Sequence, residues 1–199
     1  MDASNPVTSA ELPPNHHADH PGFAGASGAI AALAFAVGPE DDVVDIGCGS
    51  GAAVRRAARR GASSVVGIDP ATVMLRVARV LGRSRRRDGS AVRYVDAAAE
   101  ALPLADGSAS VVWALATVHH WRDLEAALGE VRRVLRPTGR FLAVERHSEP
   151  GATGLASHGW TDGQAHGFAD LCRAAGFSAE VGHHRAGRRR VVSVLAHAV

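Results

Sequence analysis

Short continuous apolar runs alternate along the chain with stretches whose apolar residues recur every three or four positions. Val43-Val44-Asp45-Ile46 and Val65-Val66-Gly67-Ile68 end in glycines or in Asp69-Pro70, as strands buried on both faces do. Val92–Val95, Ser110–Ala116 and Arg140–Glu145 predict three more strands. Between them, Ala52–Arg60, Ala71–Leu81 and Asp123–Leu135 have helical spacing. The expected inward stripe of the second helix is Val73, Met74, Val77, Val80 and Leu81. That of the third is Leu124, Leu128, Val131, Val134 and Leu135. Thr161–Ala175 predicts a helix with Thr161 as N-cap and Gly176 as stop. Ser178–His183 and Arg190–His197 lack a helix between them and predict an antiparallel hairpin. The alternation predicts an α/β fold, a Rossmann-like doubly wound sheet of seven strands, mostly parallel with the last strand antiparallel.

Upstream, Ser27–Val37 reads as an apolar helix stopped by Gly38-Pro39. Residues 1–26 read as a flexible arm or lid, and 27–199 as one domain. His16 to Gly25 has the aromatic and glycine content of a loop that closes over a ligand. Plain disorder is the other reading of that arm.

Composition narrows the class. Of 199 residues, 46% are hydrophobic and 21% charged, which excludes a disordered or fibrous chain. Two cysteines, Cys48 and Cys172, exclude a disulfide scaffold and point to a cytoplasmic setting. The N-terminus has no basic start and no apolar run, and no stretch has the length of a membrane span. All basic residues are arginines, and the net charge is only +2. Arg55, Arg56, Arg59 and Arg60, then Arg83, Arg85, Arg86 and Arg87, then Arg188, Arg189 and Arg190 form clusters without interleaved aromatics. Solvated helix faces and loops explain them better than a nucleic-acid surface.

The informative stretch is Val43 to Val54, V-V-D-I-G-C-G-S-G-A-A-V. A strand runs into Gly47, Gly49 and Gly51, and a helix follows at once. Such a loop lets a ligand approach the backbone and offers it the N–H groups of a helix N-terminus. Asp69 ends the next strand, placed to accept two ribose hydroxyls. Gly47, Gly49 and Ala52 also satisfy the dinucleotide pattern G-x-G-x-x-A, so an NAD-dependent oxidoreductase is a rival. Asp45 opposes it: a carboxylate there repels a pyrophosphate and suits an ammonium or sulfonium.

D45-I-G-C-G-S-G, G67-I-D-P-A-T-V-M-L75, A99-E-A-L-P-L104, V118-H-H-W121 and V134-L-R-P-T-G-R140 together resemble the class I S-adenosylmethionine-dependent methyltransferases. More narrowly, they resemble the branch that includes the ubiquinone and menaquinone biosynthesis C-methyltransferases. The likeness covers about residues 28–199. It implies S-adenosylmethionine as cofactor, S-adenosylhomocysteine as product, and a small-molecule acceptor methylated by in-line transfer. It implies that Asp45, Gly47, Cys48, Gly49 and Gly51 line the methionine part, with Cys48 a buried filler. Asp69 then holds the ribose, Pro70 and Met74 pack near the adenine, and Ala98, Ala99 and Glu100 border its edge. Leu115, at the end of the fourth strand, completes the cofactor set.

Two positions depart from the family. Relatives carry Asp where Ala98 stands, so backbone groups or Asp96 are expected to replace that acceptor. Asp96 shares a face with residue 98 if the strand extends that far. Relatives also carry glycine where Thr138 stands; a type II turn there would force positive φ on Thr138, so a type I turn is expected.

Displacement at a methyl group needs alignment above all, and a base only where the nucleophile must lose a proton. His119, His120 and Glu145 are the candidate catalytic residues, with His147 nearby; because H-H-W recurs in the resembled family across different substrates, a structural or pocket-lining role is favoured for His119 and His120. The His16-His17-His20 and His183-His184 groups lack the fixed spacing and thiolates of a metal site, so no metal is expected. The loop Pro150–Trp160, with His158 and Trp160, is a candidate wall for the acceptor. A nucleic-acid methyltransferase is disfavoured because A116-T-V-H-H-W121 is not an Asn/Asp-Pro-Pro-Tyr/Phe motif. A non-catalytic binder of the cofactor remains an alternative. Oligomeric state has no signal in the sequence.

Overall fold

The apolar runs form the strands they predict. In the computed structural model, described over residues 37–83, 91–153, 158–186 and 189–199, these are β1 (Asp42–Ile46), β2 (Ser64–Ile68), β3 (Ala91–Val95), β4 (Ala109–Leu115), β5 (Leu135–Arg146), β6 (Phe177–Ala186) and β7 (Arg189–Ala198). The helices are α1 (Ala52–Arg59), α2 (Thr72–Arg83), α3 (Leu124–Val134) and α4 (Asp162–Ala174), with a 3₁₀ turn at Val118–His120. The expected arm over 1–26, with His16, His17 and His20, lies outside the described residues. So do the helix from Ser27, except Val37, and Arg85, Arg86, Arg87 and Arg188.

The sheet order is β3-β2-β1-β4-β5-β7-β6. β1 to β5 pair in parallel, and β7 runs antiparallel to both β5 and β6. After β3 the chain returns across the sheet to place β4 beside β1. That reversal opens a crevice at the carboxyl ends of β1 and β4, where open α/β sheets bind ligands.

Period-two alternation divides each strand between two cores. Val43, Val65, Val111, Trp113, Leu142 and Val144 join α1 and α2 through Val54, Ala57 and Leu75. Val44, Val66, Val112, Ala114, Phe141 and Ala143 join α3 and α4 through Leu128, Val131 and Phe168. The α3 stripe is buried as expected. α4 carries the expected cap: Thr161 Oγ1 accepts from Gln164 N, and the Gln164 side chain accepts from Thr161 N. Gly176 ends this segment at φ 85°. On this side Phe141 touches Trp121, Phe168 and Phe177 with ring centroids 6.3–6.5 Å apart.

Three expectations need correction. α2 faces the sheet with Leu75 and Ala78, and Val73, Val77, Val80 and Leu81 point outward. Both of its faces are apolar, and the one with the smaller residues lies against the sheet. β5 begins at Leu135 instead of Arg140, because Leu135 already pairs with Ala109 before a register shift to Val111 and Arg140. β3 stops at Val95, so Asp96 and Ala98 do not share a strand face. Thr138 has no positive φ, which excludes the type II turn.

Replacing Phe141 by Ala removes the hub of the aromatic cluster. We expect a loss of about 3–5 kcal/mol in urea unfolding, with little change in slope.

Candidate active site

The loop from Gly47 to Gly51 is drawn tight by its own backbone. The N–H groups of Gly47 and Cys48 both donate to the Ile68 carbonyl, at 2.8 and 2.9 Å. Gly51, at φ 74°, is the N-cap of α1, and no side chain caps that end. The first turn of α1 therefore keeps donors and a positive dipole end for a ligand. A side chain at Gly47 would run into Thr117, and a Cβ at Gly51 would lie 2.6 Å from the Tyr94 hydroxyl. Only glycine fits at either place.

Asp69 ties this loop to the end of β2. Its Oδ2 accepts from Gly49 N and its Oδ1 from Ala71 N, both at 2.8 Å. Asp45 is different. It is 2% exposed, and its sheet neighbours, Gly67 and Trp113, carry no charge. Burial, then repulsion from Asp69, raises its pKa from the usual 3.8 to about 8. A buried carboxylate in that state is complementary to a cationic group. Cys48 is buried beside the two acids, and burial reinforced by their charges keeps its thiol protonated. It is a filler, not a nucleophile.

At the ends of β4 and β5 the chain turns sharply. Ala116 is the only non-glycine described residue with positive φ, at 57°, and its N–H donates to Val144 O at 2.7 Å. The strain places Thr117 against Gly47 and starts the 3₁₀ turn that carries the two histidines. His119 Nδ1 lies 3.0 Å from Glu145 Oε2, and Glu145 Oε1 accepts from Val118 N at 2.9 Å. Glu145 is buried, and 9% of the His119 side chain is exposed. Burial opposes protonation of His119, but the charge and hydrogen bond of Glu145 outweigh it, so its pKa is raised. The His120 ring lies tilted against His119 with centroids 4.0 Å apart, and His158 meets His119 edge-on at 5.9 Å.

A methyltransferase domain matches residues 44–143. The chain is 38% identical over 115 residues to a demethylmenaquinone methyltransferase of Thermus thermophilus, covering 57% of this chain and 51% of that protein. It is 38% identical over 109 residues to a malonyl-[acyl-carrier protein] O-methyltransferase of Methylovorus, covering 50% and 35%. A SAM-dependent methyltransferase from Aquifex aeolicus superposes with a TM-score of 0.73 at 17% identity, covering 91% of this chain and 95% of that one. This chain belongs to the S-adenosylmethionine-dependent methyltransferases. It spans about half of the Thermus relative's length and about a third of the Methylovorus one's.

Of the residues expected at the cofactor, the methyltransferase brings Asp45, Gly47, Cys48, Gly49, Gly51 and Asp69 together around one loop. Met74 is half-buried beside it, 3.7 Å from where a Gly49 Cβ would stand. Pro70 is exposed, and Leu115 is buried in the α1 side of the core. Ala99 is buried, whereas Ala98 and Asp96 are exposed. Glu100 has another partner: its Oε1 accepts from Arg122 N at 2.7 Å and from Asp123 N at 3.3 Å. Trp160 is wholly buried against Phe168, so it belongs to the core and not to the acceptor wall. His147 turns away from His119, toward Asp162 at 3.0 Å. His183 joins the same Asp162 oxygen at 2.8 Å, and His184 contacts Ser193.

Sequence reasoning missed the anchor of the loop after β3. Arg133 donates to the carbonyls of Leu104 and Leu102 and to Asp106. Glu130 accepts from Leu102 N at 2.7 Å and pairs with Arg133. The available signal was an opposite-charge pair three residues apart on one helix.

Two outcomes test this geometry. Between about pH 4 and pH 8, folded Asp45 holds a proton that the unfolded chain has lost. Ligand-free stability should fall across that window and level off above it. In Asp45→Asn the decline should shrink, leaving the variant more stable than the parent at pH 8 by about 1 kcal/mol or more. Arg133→Ala should raise hydrogen exchange across residues 99–106 while leaving α1 and β1 protected.

Proposed function

We propose that this methyltransferase methylates a small-molecule acceptor with an ionisable hydroxyl or amine, and that His119, held by Glu145, accepts its proton. The observation that carries the reading is the partly buried His119–Glu145 pair at the carboxyl edge of the sheet, two residues from Thr117 and the cofactor loop. S-adenosylmethionine, when bound, supplies an electrophilic methyl group for in-line displacement.

The residues present suit that cofactor. Asp45 would hold the ammonium of its methionine part as a carboxylate, its proton released to solvent. The uncapped N-terminus of α1 and the backbone from Gly47 to Gly51 take the carboxylate. Asp69, already holding the loop, faces the ribose hydroxyls. Met74, Pro70 and Ala98–Glu100 border the adenine. Leu115 and Cys48 fill the floor. The fixed loop positions the reacting groups.

Glu145 fixes the imidazole. With Nδ1–H donated to Oε2, His119 has Nε2 as its accepting atom, and Glu145 stabilises the cation formed there. His120 and His158 flank the ring and set the shape of the acceptor side. The name of the Thermus relative, a demethylmenaquinone methyltransferase, supports a small organic acceptor.

The test uses S-adenosylmethionine with a labelled methyl and a cell extract separated by size. Label should enter the low-molecular-mass fraction; label only in protein or nucleic acid overturns the reading. With an acceptor in hand, His119→Ala should lower kcat about 10²–10⁴-fold while S-adenosylhomocysteine affinity stays unchanged. The rate should rise with pH as His119 loses its proton. Glu145→Gln should move that rise to lower pH, because it removes the charge that raises the His119 pKa.

A further inference from the structure

The outward face of α2 is unlike the rest of the described surface. Among the described residues, five large hydrophobic side chains are exposed, and four of them are Val73, Val77, Val80 and Leu81. Their exposures are 65, 40, 62 and 45%. The spacing i, i+4, i+7, i+8 puts them in one stripe along the helix, opposite Leu75 and Ala78. Scattered exposed valines need no explanation, but a contiguous stripe on one helix does.

The charged residues of α2 itself have one sign. From Thr72 to Arg83, α2 has three arginines, Arg76, Arg79 and Arg83, and no acidic residue. Their helical positions fall along one flank of the stripe, and Arg79 reaches over β3 to donate to Tyr94 O at 3.0 Å. Arg93 is exposed on β3, the edge strand. The sequence after α2 adds Arg85, Arg86 and Arg87, with Asp88 the only acid before β3.

We propose that α2 docks the protein on an anionic lipid surface, with the valine stripe in the acyl boundary and the arginine flank at the headgroups. A convex helix with an apolar stripe and a basic flank is the form of an interfacial helix. The arginine stems reach along the apolar surface while their heads stay at the headgroup level. A second copy is the poorer occupant, since a two-fold contact through α2 sets arginines against arginines. The stripe carries no aromatic anchor of the kind that dominates protein–protein contacts. The first turn of α2 follows directly on Asp69, Pro70 and Ala71, so the docked helix has one end beside the cofactor loop.

Flotation of the full chain with lipid vesicles tests the proposal. Phosphatidylcholine vesicles containing phosphatidylglycerol should carry the protein, and pure phosphatidylcholine should carry about tenfold less or worse. Added salt should weaken binding to the charged vesicles. The double change Val77→Asp with Val80→Asp should abolish it, with the thermal midpoint and S-adenosylhomocysteine affinity unchanged. Absence of flotation with charged vesicles overturns the proposal, as does equal flotation by the double variant. A lowered midpoint in the variant means that this chain covers its own stripe. A parent dimer that the variant dissociates means that a second copy does. Either result replaces the lipid surface as occupant.

Discussion

A carboxylic acid held in an apolar interior, with uncharged sheet neighbours on both sides, is the constraint around which this site is built. Asp45 occupies a position where the sheet supplies only Gly67 and Trp113 as lateral neighbours. Asp69, close by, already accepts two backbone N–H groups, so its charge adds to the burden on Asp45 instead of relieving it. Proteins lose stability when they bury an unpaired charge, and the group takes up a proton in response. The site is therefore poised for a ligand that carries positive charge. An enzyme of dinucleotides has the opposite need at this place, since pyrophosphate is anionic.

Much of this was legible in the chain. Continuous apolar strands, glycines between a strand and a helix, and a carboxylate at the end of the next strand are local features, and local features survive folding. The strand directions followed from the alternation and the helix-free end. What failed did so for physical reasons. The α2 stripe could not be oriented from periodicity, because Leu75, Ala78 and Gly82 offer a second, smaller apolar face. Trp160 resembled a pocket aromatic in a glycine-rich loop, yet its indole is buried against Phe168. Glu130 and Arg133 pair locally, but the backbone groups that Glu100, Glu130 and Arg133 anchor lie 22 to 31 residues away along the chain, beyond the reach of any window.

The two halves of the site are supported in different ways. The cofactor loop is held by backbone groups and by Asp69, so most side-chain substitutions leave its path intact. The loop after β3 is held by side chains of α3, above all Arg133. The turn that carries His119 hangs on one strained residue, Ala116, and on the partly buried His119–Glu145 pair. A strained backbone and a partly buried pair are both costly features that persist when surrounding structure enforces them. Here β4 and β5, central strands with both faces covered, provide that enforcement.

The place of β7 has a consequence for how the protein is made. β6 leaves the ribosome before β7, yet it reaches the sheet only through β7, which lies between it and β5. During synthesis β6 and the far edge of β5 are thus unpaired together, each displaying a row of open backbone groups. The interval ends when the later strand slides into the gap and closes both edges at once. A nascent chain of this kind is most exposed to wrong pairing during that short span of translation.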